Sequence, residues 1–271
     1  MAPVALKDFL KQSFEKPRGE VDDDDDDKKT TRKKPWTSSF PVLEREFYPL
    51  ESNVLDKFFD DVQDRAEGRL EGKTLDFQSH ASCVSNEGEA EVHFTENIVM
   101  PLKRAFHNVP RLWFRCQRSV PNPDVPRKSN PDVDSKVIVD WTIRYHDLER
   151  ENICVGEVKR PTVIDPEAWK PGAKKSVAVM NLWRELAGYA HYYHVKSAFC
   201  YDSHNLLILR WEGDVKTSNT KVLLIPVGRE GPSIRKAMYR LLYKCLTETL
   251  VPGHSVGTGQ TGQSSSLTTL E

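Results

Sequence analysis

One strand constrains this chain more than any other feature. Residues 152–160, NICVGEVKR, carry apolar side chains on both faces before ending in a carboxylate and an amine. A strand apolar on both faces belongs in the interior of a sheet that is covered on both sides. Side-chain alternation puts Glu157 and Lys159 on one face with Ile153 and Val155, and Cys154 and Val158 on the other. The preceding run 136–146, KVIVDWTIRYH, reads as a second strand, and the polar stretch Asp147–Glu151 suits a hairpin turn between the two. In that second strand Asp140 shares a face with Ile138 and Thr142.

Around this hairpin the pattern alternates helix and strand. Residues 51–70 have helical spacing, with Val54, Leu55, Phe58, Phe59 and Val62 on one stripe. Residues 88–107 form a second helix with a kink at Pro101, and 111–118 form a strand. Beyond Pro161, a loop holding Pro166, Pro171 and Gly172 leads to a helix at about 175–195. Strands follow at 197–202, 205–211 and 221–227. A final helix starts near Ser233, a suitable N-cap, and ends near Leu250. The fold class is α/β with a central mixed β-sheet flanked by helices.

The ends differ from this middle. Residues 1–38 hold six aspartates, Asp22 to Asp27, then the basic cluster Lys28 to Lys34, and read as a disordered charged segment. Residues 39–84 read as a helical extension, 85–252 as the main domain, and 253–271, rich in Gly, Ser, Thr and Gln, as a flexible tail. The basic cluster is a weak nuclear-localisation signal, and the expectation is an intracellular protein, nuclear or cytoplasmic. Hydrophobic residues make up 38% and mean hydropathy is -0.58, with no apolar run near the roughly 20 residues of a membrane span. The first residues lack the apolar stretch and cleavage site of a signal peptide. Five widely spaced cysteines with no CxxC pair read as reduced thiols, Cys116, Cys154 and Cys200 within strand-like runs. The net charge of -1 does not advertise a nucleic-acid binder, but residues 101–200 carry 17 basic against 11 acidic groups. That excess is the kind of local surface that phosphate contacts require.

Chemistry concentrates at the hairpin. A carboxylate and an ammonium at the end of a buried strand are unfavourable unless paired or bound to a metal. A tight hairpin brings Asp140 to the strand beside Glu157, where two carboxylates repel unless a divalent cation joins them. Hard oxygen ligands favour Mg²⁺ or Mn²⁺. Such an ion polarises a phosphate and acidifies a bound water, while Lys159 offsets charge developing on phosphate oxygens. The spacing alone is equally compatible with a solvated Glu–Lys pair and an unrelated Asp.

The stretch VDWTIRYHDLERENICVGEVKRP resembles the core of PD-(D/E)XK nuclease-like (restriction-endonuclease-like) domains, particularly a lineage common in filamentous fungi. RELAGYAHYYHVKSAFCYDSHNLLIL resembles the helix and strands that follow in that lineage, and the likeness covers roughly residues 85–210. It implies the order α-β-β-β-α-β and Mg²⁺-dependent hydrolysis of nucleic-acid phosphodiesters, DNA or RNA, although many family members have lost activity. By this likeness Asp140, Glu157 and Lys159 match the catalytic set, with Asp140 and Glu157 as metal ligands. A further glutamate in the preceding helix often helps to hold the metal; Glu91 is the choice here as that additional ligand, with Glu96 and Glu89 as rivals. Two departures stand out. Val139 replaces the family proline, and the helix position that often carries a glutamine four residues before an aromatic is Glu185, with Tyr189 as the aromatic.

Other residues rank lower. His191 and His194 are three apart with no third ligand; Arg160 and Lys196 are possible phosphate contacts; Trp141, Trp183 and Trp211 read as core. No Gly-rich phosphate loop, GxSxG elbow or HExxH helix is present. The alternative to a nuclease is a catalytically inactive binding or interaction module on the same fold.

Overall fold

The computed structural model describes residues 4–13, 34–51, 53–59, 70, 74–75, 84–109, 111–121, 136–145, 151–173, 176–228 and 232–250. Nine strands lie in this part of the chain: β1 (Val4–Ala5), β2 (Arg45–Tyr48), β3 (Thr74–Leu75), β4 (Leu112–Pro121), β5 (Lys136–Tyr145), β6 (Glu151–Val158), β7 (Ser197–Tyr201), β8 (Asn205–Trp211) and β9 (Thr220–Pro226). β1 and β3 form a small antiparallel pair. The other seven form one mixed sheet in the order β2-β9-β8-β7-β6-β5-β4. Only the β6–β7 and β2–β9 pairs are parallel.

The strand composition explains this layout. Every residue of β7 and β8 is buried, so these strands are covered on both faces. One face packs against the helices Leu6–Lys11, Val54–Phe59, Glu87–Phe94, Met100–Ala105 and Ile234–Leu250. The other packs against the helix Val177–Tyr192, the short helix Pro166–Trp169 and a 3-10 turn at Pro35–Ser39. The 177–192 helix connects the parallel strands β6 and β7, as parallel pairing requires. Ser176 caps its start by accepting a hydrogen bond from Val179 N–H at 3.2 Å. Ser233 Oγ does the same for the last helix, accepting from Lys236 N–H at 3.1 Å. Among the described residues no helix is long and apolar enough to cross a membrane.

The kink expected at Pro101 takes a particular form. A π-helical turn, Thr95–Val99, sits between the helices Glu87–Phe94 and Met100–Ala105. Proline has no N–H for the carbonyl four residues earlier, which is that of Asn97. The buried Arg235 fills that role from the last helix, its Nε donating to Asn97 O at 2.8 Å. The ring of Phe94 lies 5.7 Å from Trp141, 5.5 Å from Phe199 and 5.2 Å from Tyr201, fixing the 87–94 helix across β5, β6 and β7.

Several features depart from the sequence reading. The segment 39–84, expected to be helical, supplies β2 as an edge strand of the main sheet; of its helix only Val54–Phe59 lies in the described part. Residues 4–11 and 34–38, within the segment expected to be disordered, are packed, with Leu6, Phe9, Leu10 and Thr37 buried and Phe40 buried directly after them. Their apolar side chains are few but complete the two cores. The aspartate run, Lys28 to Lys33 and the Gly/Ser/Thr tail lie outside the described residues, as do 146–150 of the hairpin turn. Strand alternation slips at two points. A bulge in the β5–β6 pairing between Ile143 and Arg144 puts Ile153 in the same core as Cys154. On β5, Trp141 and Ile143 join one core while Val137 and Val139 join the other, so the strand changes face at Asp140. Of the thiols, Cys154 and Cys200 are buried, but Cys116 is exposed because β4 is the sheet edge.

Gly156 has no substitute in this packing. A Cβ built there would meet the Phe199 ring on the adjacent strand at 2.0 Å. Gly156→Ala is therefore expected to lower unfolding free energy by about 1–3 kcal/mol through overpacking. Chemical denaturation of the two proteins checks this; an unchanged midpoint would mean that Phe199 moves aside freely.

Candidate active site

Four of the six residues singled out by sequence converge at the end of β6. Glu157, the last but one residue of that strand, is 3% exposed, and Lys159, just beyond it, is held by its N–H donating to Tyr201 O at 2.8 Å. Their side chains pair at 2.5 Å, from Lys159 Nζ to Glu157 Oε1. Across from them, Glu185 and Tyr189 stand one turn apart on the 177–192 helix, both buried. Tyr189 OH donates to Glu185 Oε1 at 2.9 Å, and Lys159 Nζ lies 3.5 Å from the same oxygen.

Asp140 approaches from β5. It is half-buried, and its Oδ2 accepts the Val158 N–H at 2.8 Å. This bond fixes the carboxylate against the backbone between Glu157 and Lys159, where the β5–β6 register ends at Trp141 and Gly156. Glu91 is half-buried on the 87–94 helix. Its charge and that of Glu87 both act on Asp140. The rivals fare differently: Glu89 is exposed and accepts from Ser85 N–H and Oγ at 2.7 and 2.8 Å, a helix-capping role, and Glu96 is exposed on the π turn.

Electrostatics follow from burial. Burial pushes the Asp140 carboxyl up, and the Val158 N–H and Lys159 only partly offset this. Burial raises Glu157 further, to about 8, against the pull of Lys159 and with the push of Glu185 and Asp140. Glu185 moves the other way. Burial raises it, but Lys159 and then Lys34 outweigh that and hold it below its ordinary value. Two neighbouring carboxyls whose environments split their affinities for a proton are a recurring catalytic arrangement. Tyr189 stays a phenol, its pKa driven well up by burial and by the two glutamates.

Lys34 is the residue that sequence reading missed as part of the site. Its Nζ lies 2.5 Å from Glu185 Oε1 and 3.6 Å from Glu157 Oε1, and it also donates to Tyr189 OH. In the sequence it stands out only as the end of a basic cluster. The available signal was Pro35-Trp36 directly after it, an aromatic anchor at the edge of a charged segment, together with a glutamate where an amide was expected.

Trp141, Trp183 and Trp211 are core. His191 packs edge-on against Phe40 at 5.5 Å, and His194 is exposed. Lys196 uses its carbonyl to accept from Trp211 N–H. Arg160 is half-buried, next in sequence to Lys159.

The donor set can be weighed against a hard divalent ion. Glu157 Oε2 is buried with no hydrogen-bond partner among the described residues. An orphaned carboxylate oxygen next to a second carboxyl forced upward by burial is the electrostatic demand that a cation relieves. Among the described residues no three Asp, Glu, His or Cys side chains form a ready cage. Mg²⁺ does not require one, since it is commonly held by one or two carboxylates with water and substrate phosphate oxygens completing its shell.

Searches against protein-family models and against curated proteins returned no match for this chain.

Proposed function

We propose that the protein is a metal-dependent nuclease that hydrolyses nucleic-acid phosphodiester bonds at Asp140, Glu157 and Lys159. The observation that carries this reading is the meeting of Glu157, with its orphaned oxygen, and Lys159 at the end of a buried strand, with Asp140 tied to the peptide between them. The order helix, three antiparallel strands, helix and a strand parallel to the third, over residues 87–201, supports a restriction-endonuclease-like core.

Asp140 and Glu157 are the residues to hold Mg²⁺ or Mn²⁺, with Glu91 as an outer carboxylate acting on Asp140. When bound, such an ion supplies Lewis acidity toward a phosphate and a more acidic water. The chain's own groups do the remaining work. The Lys159 ammonium, nearly buried, stands where it offsets negative charge gathering on phosphate oxygens, and low local dielectric strengthens that effect. Glu185, held by Tyr189, flanks Lys159 from the 177–192 helix. Incubation of the purified protein with plasmid, linear and single-stranded DNA and with RNA, each with Mg²⁺ or Mn²⁺, tests the proposal. The expected result is metal-dependent cleavage lost in Asp140→Ala; no cleavage of any substrate, or cleavage unchanged by that substitution, removes it.

A second reading, a non-catalytic binding module on the same scaffold, draws on the two amines around Glu157, which already offset its charge. Calorimetry separates the two: a site that takes up neither Mg²⁺ nor Mn²⁺ favours the module.

A further inference from the structure

Two carboxylates and two ammonium groups meet at this site, and one of the ammonium groups comes from far outside the strands that build it. Residues 34–40 form a strap across the 177–192 helix. Trp36 anchors it, with ring centroids 5.5 Å from Tyr189 and 5.6 Å from Tyr192. The strap fits because position 188 is glycine: a Cβ there would lie 2.0 Å from the Trp36 ring. Phe40, 1% exposed, is the second anchor, 5.8 Å from Tyr192. Between the anchors Thr37 Oγ1 donates to Lys34 O at 2.7 Å, fixing the backbone from which the lysine reaches inward. A charged segment does not order an aromatic anchor, a buried phenylalanine and a backbone clamp for a solvated lysine.

The distances assign the amines to different partners. Lys159 is 2.5 Å from Glu157 and 3.5 Å from Glu185, whereas Lys34 is 2.5 Å from Glu185 and 3.6 Å from Glu157. We propose that Lys34 is a positioning residue of this site: by neutralising Glu185 it leaves Lys159 on Glu157, beside the orphaned carboxylate oxygen. The proposal rests on the reading of Glu157 and Lys159 as the working pair. Lys34 and Glu185 then form a neutral unit. Without Lys34, Glu185 competes for Lys159 and draws it off Glu157.

The test uses the full chain as wild type, Lys34→Met, Lys34→Arg, Glu185→Gln and the double variant Lys34→Met/Glu185→Gln. Methionine keeps the length of the lysine stem, and Trp36 and Phe40 still hold the strap. The first readout is the ¹⁵Nζ resonance of Lys159, assigned by its loss in Lys159→Arg. It is expected to move in Lys34→Met and to return to its wild-type position in Lys34→Arg and in the double variant. The second readout is Mn²⁺ affinity by calorimetry. Removing a positive charge next to the carboxylates is expected to tighten Mn²⁺ binding about tenfold in Lys34→Met, and removing a negative one to weaken it about tenfold in Glu185→Gln. The double variant is expected within about threefold of wild type, because the two charges cancel. A lost structural contact alone would not move the two single variants in opposite directions. An unmoved Lys159 resonance in Lys34→Met, or one displaced equally in the double variant, overturns the proposal. A wild-type protein that binds no Mn²⁺ counts against the metal site alone, and the Lys159 resonance still decides the role of Lys34.

Discussion

Replacing Glu157 with glutamine is expected to abolish divalent-cation binding and cleavage together, yet to leave the fold as stable as the parent near pH 4 and increasingly more stable from there up to pH 8. The sign follows from linkage. Glu157 holds its proton more tightly in the folded chain, up to about 8, than at its ordinary value of 4.5. Its contribution to stability is full below the unfolded value and is lost as pH rises through the folded one. Wild-type unfolding free energy should therefore fall between about pH 4.5 and 8, by an amount on the order of a few kcal/mol. Asp202, pushed up to about 6 by burial despite bonds from Ile164, Asn205 and His204, adds to the decline in the acidic part of that window. Glu185 acts in the opposite sense, but only as pH falls through its lowered value. A glutamine at 157 has no proton to lose, so the slope should flatten. Denaturation at several pH values, with calorimetry for Mn²⁺, checks both halves. If Glu157→Gln binds Mn²⁺ like wild type, the carboxylate is not a ligand. If its stability keeps the wild-type slope, the buried charge lies elsewhere.

Lys159→Met should cost the protein both activity and stability. It is expected to cut cleavage about 10²–10³-fold, as the removal of a charge-stabilising group in a shielded site does elsewhere. It should also destabilise the fold increasingly with pH. Two buried carboxylates would then share one ammonium, Lys34, so at alkaline pH Glu157 either carries an unpaired charge or holds a proton that the wild type releases. Breaking one side of such a buried set costs about 3–5 kcal/mol. Below about pH 6 Glu157 keeps its proton and the loss should be much smaller. Thermal unfolding at pH 6 and pH 9 gives the comparison. Equal destabilisation at both values would mean that Lys159 matters through packing of its stem and not through its charge.

Much of the site was legible in the chain itself. Glu157 and Lys159 stand two apart at the end of a strand apolar on both faces, and local alternation is enough to aim both side chains one way. Glu185 and Tyr189, four apart on a helix, share a face for the same local reason. The finer placement of Asp140 was not legible. Alternation groups it with Ile138 and Thr142, but the strand changes face at this residue, and its carboxylate turns to the backbone of β6. Nor could the order of strands be read: nothing local in REFY says that residues 45–48 pair in parallel with β9, more than 170 positions later.

The sequence by itself determined the periodicities, the buried central strands and the acid–amine pair, because each is a property of side chains a few positions apart. Only the tertiary structure decided which charges meet. Lys34 reaches Glu185 across 151 positions because Trp36 finds the groove opened by Gly188, and the orphaned Oε2 of Glu157 is defined by what surrounds it. Burial and charge balance are sums over neighbours from the whole chain, so no window of residues contains them.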